Sequence, residues 1–199
     1  MPSKLQTAAE RTFPVIYIGA HQAAGIPRIC EYRIGFQGSF YLMTITEVPM
    51  TRRELREHIF NELFTSDFYL TSDEDLMAQL DLYFTHAGGD GLDYSPQDVP
   101  EEEREEVKKK AMAVCEKREE IDRILDDASV GWKTDRMSRT DLAILRLGVY
   151  ELLFDESIPA GVAINEAVLL AKKFGGDDSF SFVNGILGKV QRQAEAGKE

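Results

Sequence analysis

The segment from Asp141 to Leu153 constrains the fold most, because a helix through it is apolar on almost every side. Leu142, Leu145, Val149 and Leu152 recur at helical spacing, and Ile144, Leu147 and Leu153 fill the flanks. Such a helix belongs at the centre of a bundle rather than on its surface. Ser138 stands three residues before Asp141, so its hydroxyl can cap the start, with the Asp141 carboxylate as reciprocal acceptor. Two charges interrupt the apolar run. Arg146 and Glu151 each require a partner or an exposed edge.

The rest of the chain from Thr51 reads as further helices. Thr51-Arg-Arg-Glu54 has the form of a capping box, followed by a stripe of Leu55, Ile59, Leu63 and Phe64 with Phe60 and Phe68 alongside. A second helix is expected from Ser72 or Asp73 to Phe84, with Leu76, Leu80 and Phe84 on one face. His86 to Pro100 is rich in glycine and proline and reads as a loop between two halves. Pro100 opens a charged helix, in which Glu105–Lys109 and Glu106–Lys110 are spaced for i,i+4 pairing. Ile121, Ile124 and Leu125 continue the apolar face. Pro159 marks a break, Val162 to Phe174 forms the next helix with Gly175-Gly176 as its stop, and Asp178 or Ser179 caps the last one. Phe182, Ile186 and Val190 share its stripe. The expectation is all-α, a helical bundle in two halves over residues 50–192, ending in a polar tail at 193–199.

Residues 1–49 differ from everything after them. Val15 to Ile18 and Phe40 to Ile45 favour strands, and Gly19, Gly25, Pro27, Gly35, Gly38 and Pro49 punctuate them. Two readings stand: a β-prone or disordered extension, or translated sequence upstream of a natural start at Met50.

The net charge is −12, yet residues 1–49 hold four basic and three acidic side chains, so the acidity lies in the remainder. That balance argues against a general RNA-coating protein, and any nucleic-acid contact must use a local basic patch on an acidic body. Cys30 and Cys115 form neither a disulfide framework nor a close metal-binding pair, which fits a cytoplasmic protein. No apolar run reaches the roughly 18 residues of a membrane span, so no membrane role is expected. His58 and His86 have no partner at metal-ligand spacing, and no phosphate-binding loop or dinucleotide fingerprint occurs. The expectation is therefore no catalytic residue, no metal and no cofactor.

Arg52, Arg53 and Arg56 sit in the first turns of a helix, where free backbone N–H groups already make the end positive. Stability alone favours acids there. The cluster reads either as an anion site suited to phosphate or as a solvated face with Arg53 and Glu57 paired. Lys172 and Lys173 close a helix, where cations stabilise the end. Phe182 has core spacing, and Asp178 has an N-cap position. Gly185 costs about 1 kcal/mol relative to alanine inside a helix, which asks for a close-packing or close-approach reason. Asn165-Glu166, Tyr150 and Trp132 read as structural, the Asn-Glu pair through buried hydrogen bonds.

The run from Asp141 to Leu152, followed by Ile164-Asn165-Glu166-Ala-Val and Phe182-Val-Asn184-Gly185, resembles the NusB family of bacterial transcription antitermination factors over roughly residues 50–192. The resemblance implies a non-enzymatic factor that binds boxA-type single-stranded RNA of ribosomal RNA transcripts. It implies action with NusE, a ribosomal small-subunit protein, in an assembly with NusA, NusG and RNA polymerase. By the same resemblance Arg52, Arg53 and Arg56 contact RNA, with Lys172 and Lys173 in support. Asp178, Phe182 and Asn184 lie beside the bases, and Asp141 lies at the partner surface. Phe180 and Ser181 stand where relatives often carry basic or polar residues, so phosphate contacts are fewer here. Some relatives self-associate, which leaves a homodimer open. Two rival readings are a protein-only adaptor and an RNA-binding module like the N-terminal domain of ribosomal RNA cytosine methyltransferases. The chain has no αβ catalytic half after Val190, which favours a free-standing factor.

Overall fold

The computed structural model describes residues 15–21, 29–36, 39–45, 50–69, 73–85, 96–129 and 131–197, in two compact units that divide between Pro49 and Met50. Ser72, the 86–95 part of the inter-half loop, Gly25, Pro27, Gly38, Pro49 and the last two tail residues lie outside them.

In the first unit, β1 (Val15–His21), β2 (Ile29–Phe36) and β3 (Ser39–Ile45) form an antiparallel sheet in the order β1-β2-β3. The β1–β2 register shifts between Tyr17 and Gly19, as a bulge does when one strand holds an extra residue. The described part of the extension is thus β-structured. The middle strand was not among the expected runs, although Cys30, Tyr32 and Ile34 alternate with Glu31 and Arg33 at the strand period of two.

The second unit is all-α among its described residues: α1 (Arg52–Tyr69), α2 (Asp73–Tyr83), α3 (Glu101–Glu116), α4 (Arg118–Ala128), α5 (Arg139–Leu153), α6 (Ala160–Phe174) and α7 (Ser179–Ala196). Helix α1 starts on a complete capping box. The Glu54 amide donates to Thr51 Oγ1 at 3.2 Å, and the Thr51 amide donates to Glu54 Oε2 at 2.7 Å. Ser138 caps α5 by accepting from the Asp141 amide at 3.0 Å. The reciprocal bond is not made, and Asp141 Oδ1 is buried without a hydrogen-bond partner. Helix α7 extends to Ala196, so the start of the expected polar tail is helical.

Helix α5 lies at the centre, in contact with α1, α3, α4, α6 and α7. Ile144, Leu145 and Val149 are fully enclosed, as their all-round apolar pattern requires. One continuous core joins Leu55, Ile59 and Leu63 of α1 to Val107 and Val114 of α3, Ile121 and Leu125 of α4, and Val183 and Leu187 of α7. The α6–α7 connection is tight enough to require glycine. A Cβ on Gly175 would lie 2.4 Å from Ser179 Cβ and 2.6 Å from the Ala171 carbonyl.

Arg146 is buried and held by two carboxylates: Nε and Nη2 donate to Asp122 at 2.8 Å, and Nη1 donates to Asp67 at 2.7 Å. Glu151 is buried against Arg56, whose Nε donates to both its oxygens at 3.0 Å. The expected i,i+4 pairs on α3 do not form the dominant contacts. Lys110 instead binds Asp155, Glu106 meets Arg52, and Lys108 reaches Asp81 and Glu105. Asn165 is exposed, so it lacks the buried hydrogen-bonding role expected of it, and Trp132 is 59 % exposed.

Candidate nucleic-acid interface

The N-terminus of α1 lies along α6. Arg53 Nε is 3.6 Å from Glu166 Oε2, and Lys173 Nζ donates to Glu57 Oε1 at 2.8 Å. These side chains, with Arg56, Leu169 and Leu170, line a concavity of about 220 Å³. The Phe60 and Phe174 rings stack at 4.9 Å beneath, and the Lys173 ammonium lies 5.4 Å from the Phe174 centroid. Lys172, one residue earlier, reaches α7 instead, with Nζ 5.6 Å from the Phe180 ring centroid. The last turn of α6 therefore meets the second and third turns of α1 through Lys173 and Phe174, and the first turn of α7 through Lys172. Arg53 and Lys173 line one concavity, Lys172 extends this basic edge towards α7, and Arg52 turns instead to Glu106 of α3.

The three arginines are not equivalent. The Arg52 and Arg53 side chains are 76 % and 57 % exposed, whereas that of Arg56 is 11 % exposed. Arg56 points inward because α5 docks there, and its guanidinium serves Glu151, the Arg52 carbonyl and, at 3.9 Å, Glu166. A phosphate at Arg56 would have to displace a buried carboxylate, so the geometry assigns Arg56 to holding α1 against α5. Arg52 and Arg53 face solvent but carry acidic neighbours, Glu106 and Glu166. Those acids come from helices far away in sequence, and no local pattern signals them.

Asp178 occupies the N-cap position of α7, but its side chain makes no capping bond; its carbonyl accepts from the Ser181 and Phe182 amides at 3.1 and 3.0 Å. Asp178 and Asn184 are exposed. Phe182 is half-buried and packs against the core, leaving only part of its ring for a ligand. Phe180, passed over in sequence, is 41 % exposed. Nothing lies within 4 Å of a Cβ built on Gly185, so close internal packing does not explain that glycine. Asp141 belongs elsewhere. It is ten residues along α5 from Glu151, about 15 Å at the helical rise.

Residues 53–192 match the NusB family pattern. The chain belongs to the NusB family. It is 46 % identical over 141 residues to the transcription antitermination protein NusB of Lachnoclostridium phytofermentans, covering 71 % of this chain and 98 % of that protein. The corresponding protein of Agathobacter rectalis is 44 % identical over 140 residues, covering 70 % and 98 %. Among solved structures, T. maritima NusB superposes with a TM-score of 0.60 at 30 % identity, covering 73 % of this chain and 94 % of that one. A chain in a crystal structure of the antitermination factors NusB and NusE in complex with dsRNA gives a TM-score of 0.55 at 25 % identity, covering 71 % and 96 %. Family membership places the chain among non-enzymatic transcription antitermination factors. No group of three or more potential metal ligands occurs among the described residues.

Proposed function

We propose that the protein is a cytoplasmic antitermination factor that binds boxA-type RNA of ribosomal RNA transcripts together with NusE, and keeps that RNA tethered to RNA polymerase with NusA and NusG. The observation that carries this reading is the basic edge that Arg53, Lys173 and Lys172 form where α6 meets α1 and α7, with Arg52 exposed at the start of α1, on an otherwise acidic helical unit of a family whose relatives are named for antitermination. Tethering needs no bond chemistry, only phosphate contacts and a second binding surface. Asp141, on another part of α5 and partly exposed, is the candidate for that second surface. The acidic body suits a basic ribosomal protein, and joint binding adds the affinity that a small patch lacks.

The decisive experiment is titration of boxA-type RNA across salt, with and without NusE. Arg52→Ala/Arg53→Ala is expected to weaken binding and to flatten the log–log salt slope by about 1.4, the value for two phosphates on a single strand. An unchanged slope would place the RNA on another face. Adding Arg56→Lys should leave the slope of that double variant unaltered, because Arg56 answers to Glu151.

The acids beside the arginines make an opposite prediction. RNA must compete with Glu106 for Arg52 and with Glu166 for Arg53. Glu106→Gln/Glu166→Gln is expected to tighten RNA binding about tenfold at low salt, with the gain shrinking as salt screens it. Fluorescence anisotropy at two ionic strengths measures both. A homodimer covering the same edge is the competing arrangement, and light scattering with and without RNA separates the two.

A further inference from the structure

We infer that Phe180, backed by Lys172, is a stacking platform for an unpaired base, so that this chain holds its RNA partly by non-ionic contact where Phe182 is largely committed to the core. The inference rests on the RNA-binding reading above and adds a recognition element to the same edge.

Three observations converge on it. Phe180 is one of four large apolar side chains left exposed among the described residues, and it lies in the first turn of α7. Its ring carries the Lys172 ammonium 5.6 Å from the centroid, which sets a cation beside an aromatic surface. A nucleotide offers the complementary pair, a flat π-face and a phosphate. Asn184 is four residues further along the same helix and exposed, so its amide lies on the Phe180 side within reach of a base edge.

Phe182 contrasts with this arrangement. It is half-buried and packs against the core, and stacking on its ring would use only the exposed remainder. Two residues apart on a helix, Phe180 and Phe182 point in nearly opposite directions. The exposed one is better placed for an unstacked base.

The test uses the full chain with NusE and a single-stranded boxA-type RNA carrying 2-aminopurine at successive positions. Phe180→Ala is expected to weaken binding about tenfold while leaving the salt slope unchanged, since stacking releases no counterion. It should also abolish the quenching of 2-aminopurine at one position, and Phe180→Trp should restore both. Lys172→Ala should instead lower the slope by about 0.7. If the wild-type chain binds and Phe180→Ala neither weakens binding nor changes the quenching, the platform is refuted. Loss of NusE binding by Phe180→Ala in the absence of RNA would make the ring a protein contact and refute it as well. Failure of the wild-type chain to bind RNA with NusE present overturns the functional reading itself, a distinct result.

Discussion

Arg146→Met is expected to lower the unfolding midpoint of the helical unit by roughly 10 °C. The guanidinium is buried between Asp67 and Asp122, with four donor contacts within 3 Å, and Arg118 also reaches Asp67 at 2.8 Å. Removing only the cation leaves two carboxylates partly enclosed. Breaking a buried pair in this way costs about 3–5 kcal/mol. In a unit of this size each kcal/mol moves the midpoint by about 2–4 °C. The penalty arises from the stranded acids, so Arg146→Met/Asp67→Asn/Asp122→Asn should recover most of it. Thermal unfolding followed by circular dichroism decides the matter. A single variant within about 1 kcal/mol of wild type would mean that the network contributes nothing net.

The second large effect has the opposite sign. Glu62 on α1 is buried, and one of its carboxylate oxygens lacks a hydrogen-bond partner. Burial pushes its carboxyl up to about 9, opposed by the Lys108 ammonium and reinforced by Asp81. The folded state thus holds a neutral acid while the unfolded state releases the proton from about pH 4.5 upward. The contribution of this group to stability is complete below pH 4.5 and is lost as pH rises towards 9. Glutamine is neutral in both states. Glu62→Gln is therefore expected to stabilise the fold by on the order of 3 kcal/mol near pH 7.5, with the advantage vanishing near pH 4.5. Urea unfolding at the two pH values measures the difference, and equal stabilities at pH 7.5 would show that Glu62 is ionised in the native state.

His58 titrates in the contrary sense. It is fully buried, its Nδ1 is 2.7 Å from the Tyr83 hydroxyl, and burial lowers its pKa to about 4 despite the opposing pull of Glu54. Its contribution to stability is present above pH 6.5 and is lost as pH falls towards 4. Between about pH 4.5 and 6.5 the two residues pull in opposite directions, so the pH profile should be flatter there than either residue alone would make it. Glu62→Gln should expose the His58 slope.

Several features of this fold are readable one segment at a time. The Thr51–Glu54 box and the Ser138 cap are patterns of four residues; the first forms complete, and the second forms without the reciprocal Asp141 bond. The all-round apolar face of α5 announces its central place, and the charges within it announce that partners are needed. Which partners is another matter. Arg146 finds Asp67, 79 residues away, and Arg56 finds Glu151, 95 residues away. The pairing expected along α3 loses to Arg52 and Asp155, which meet its side chains from other elements.

The candidate site divides in the same way. The residue types and spacing point to an anion-binding helix start, and three arginines look alike at that level. Docking against α5 turns one of them into a structural cross-link and leaves two outside, each beside an acid from another helix. Phe180 and Phe182 exchange their expected prominence because α7 turns the second towards the core. Helix limits, caps and apolar stripes depend on hydrogen bonds and contacts within about four residues, so the linear order suffices for them. Burial of a particular charge or ring depends on the angle at which two helices pack, and that angle emerges only when the whole core closes.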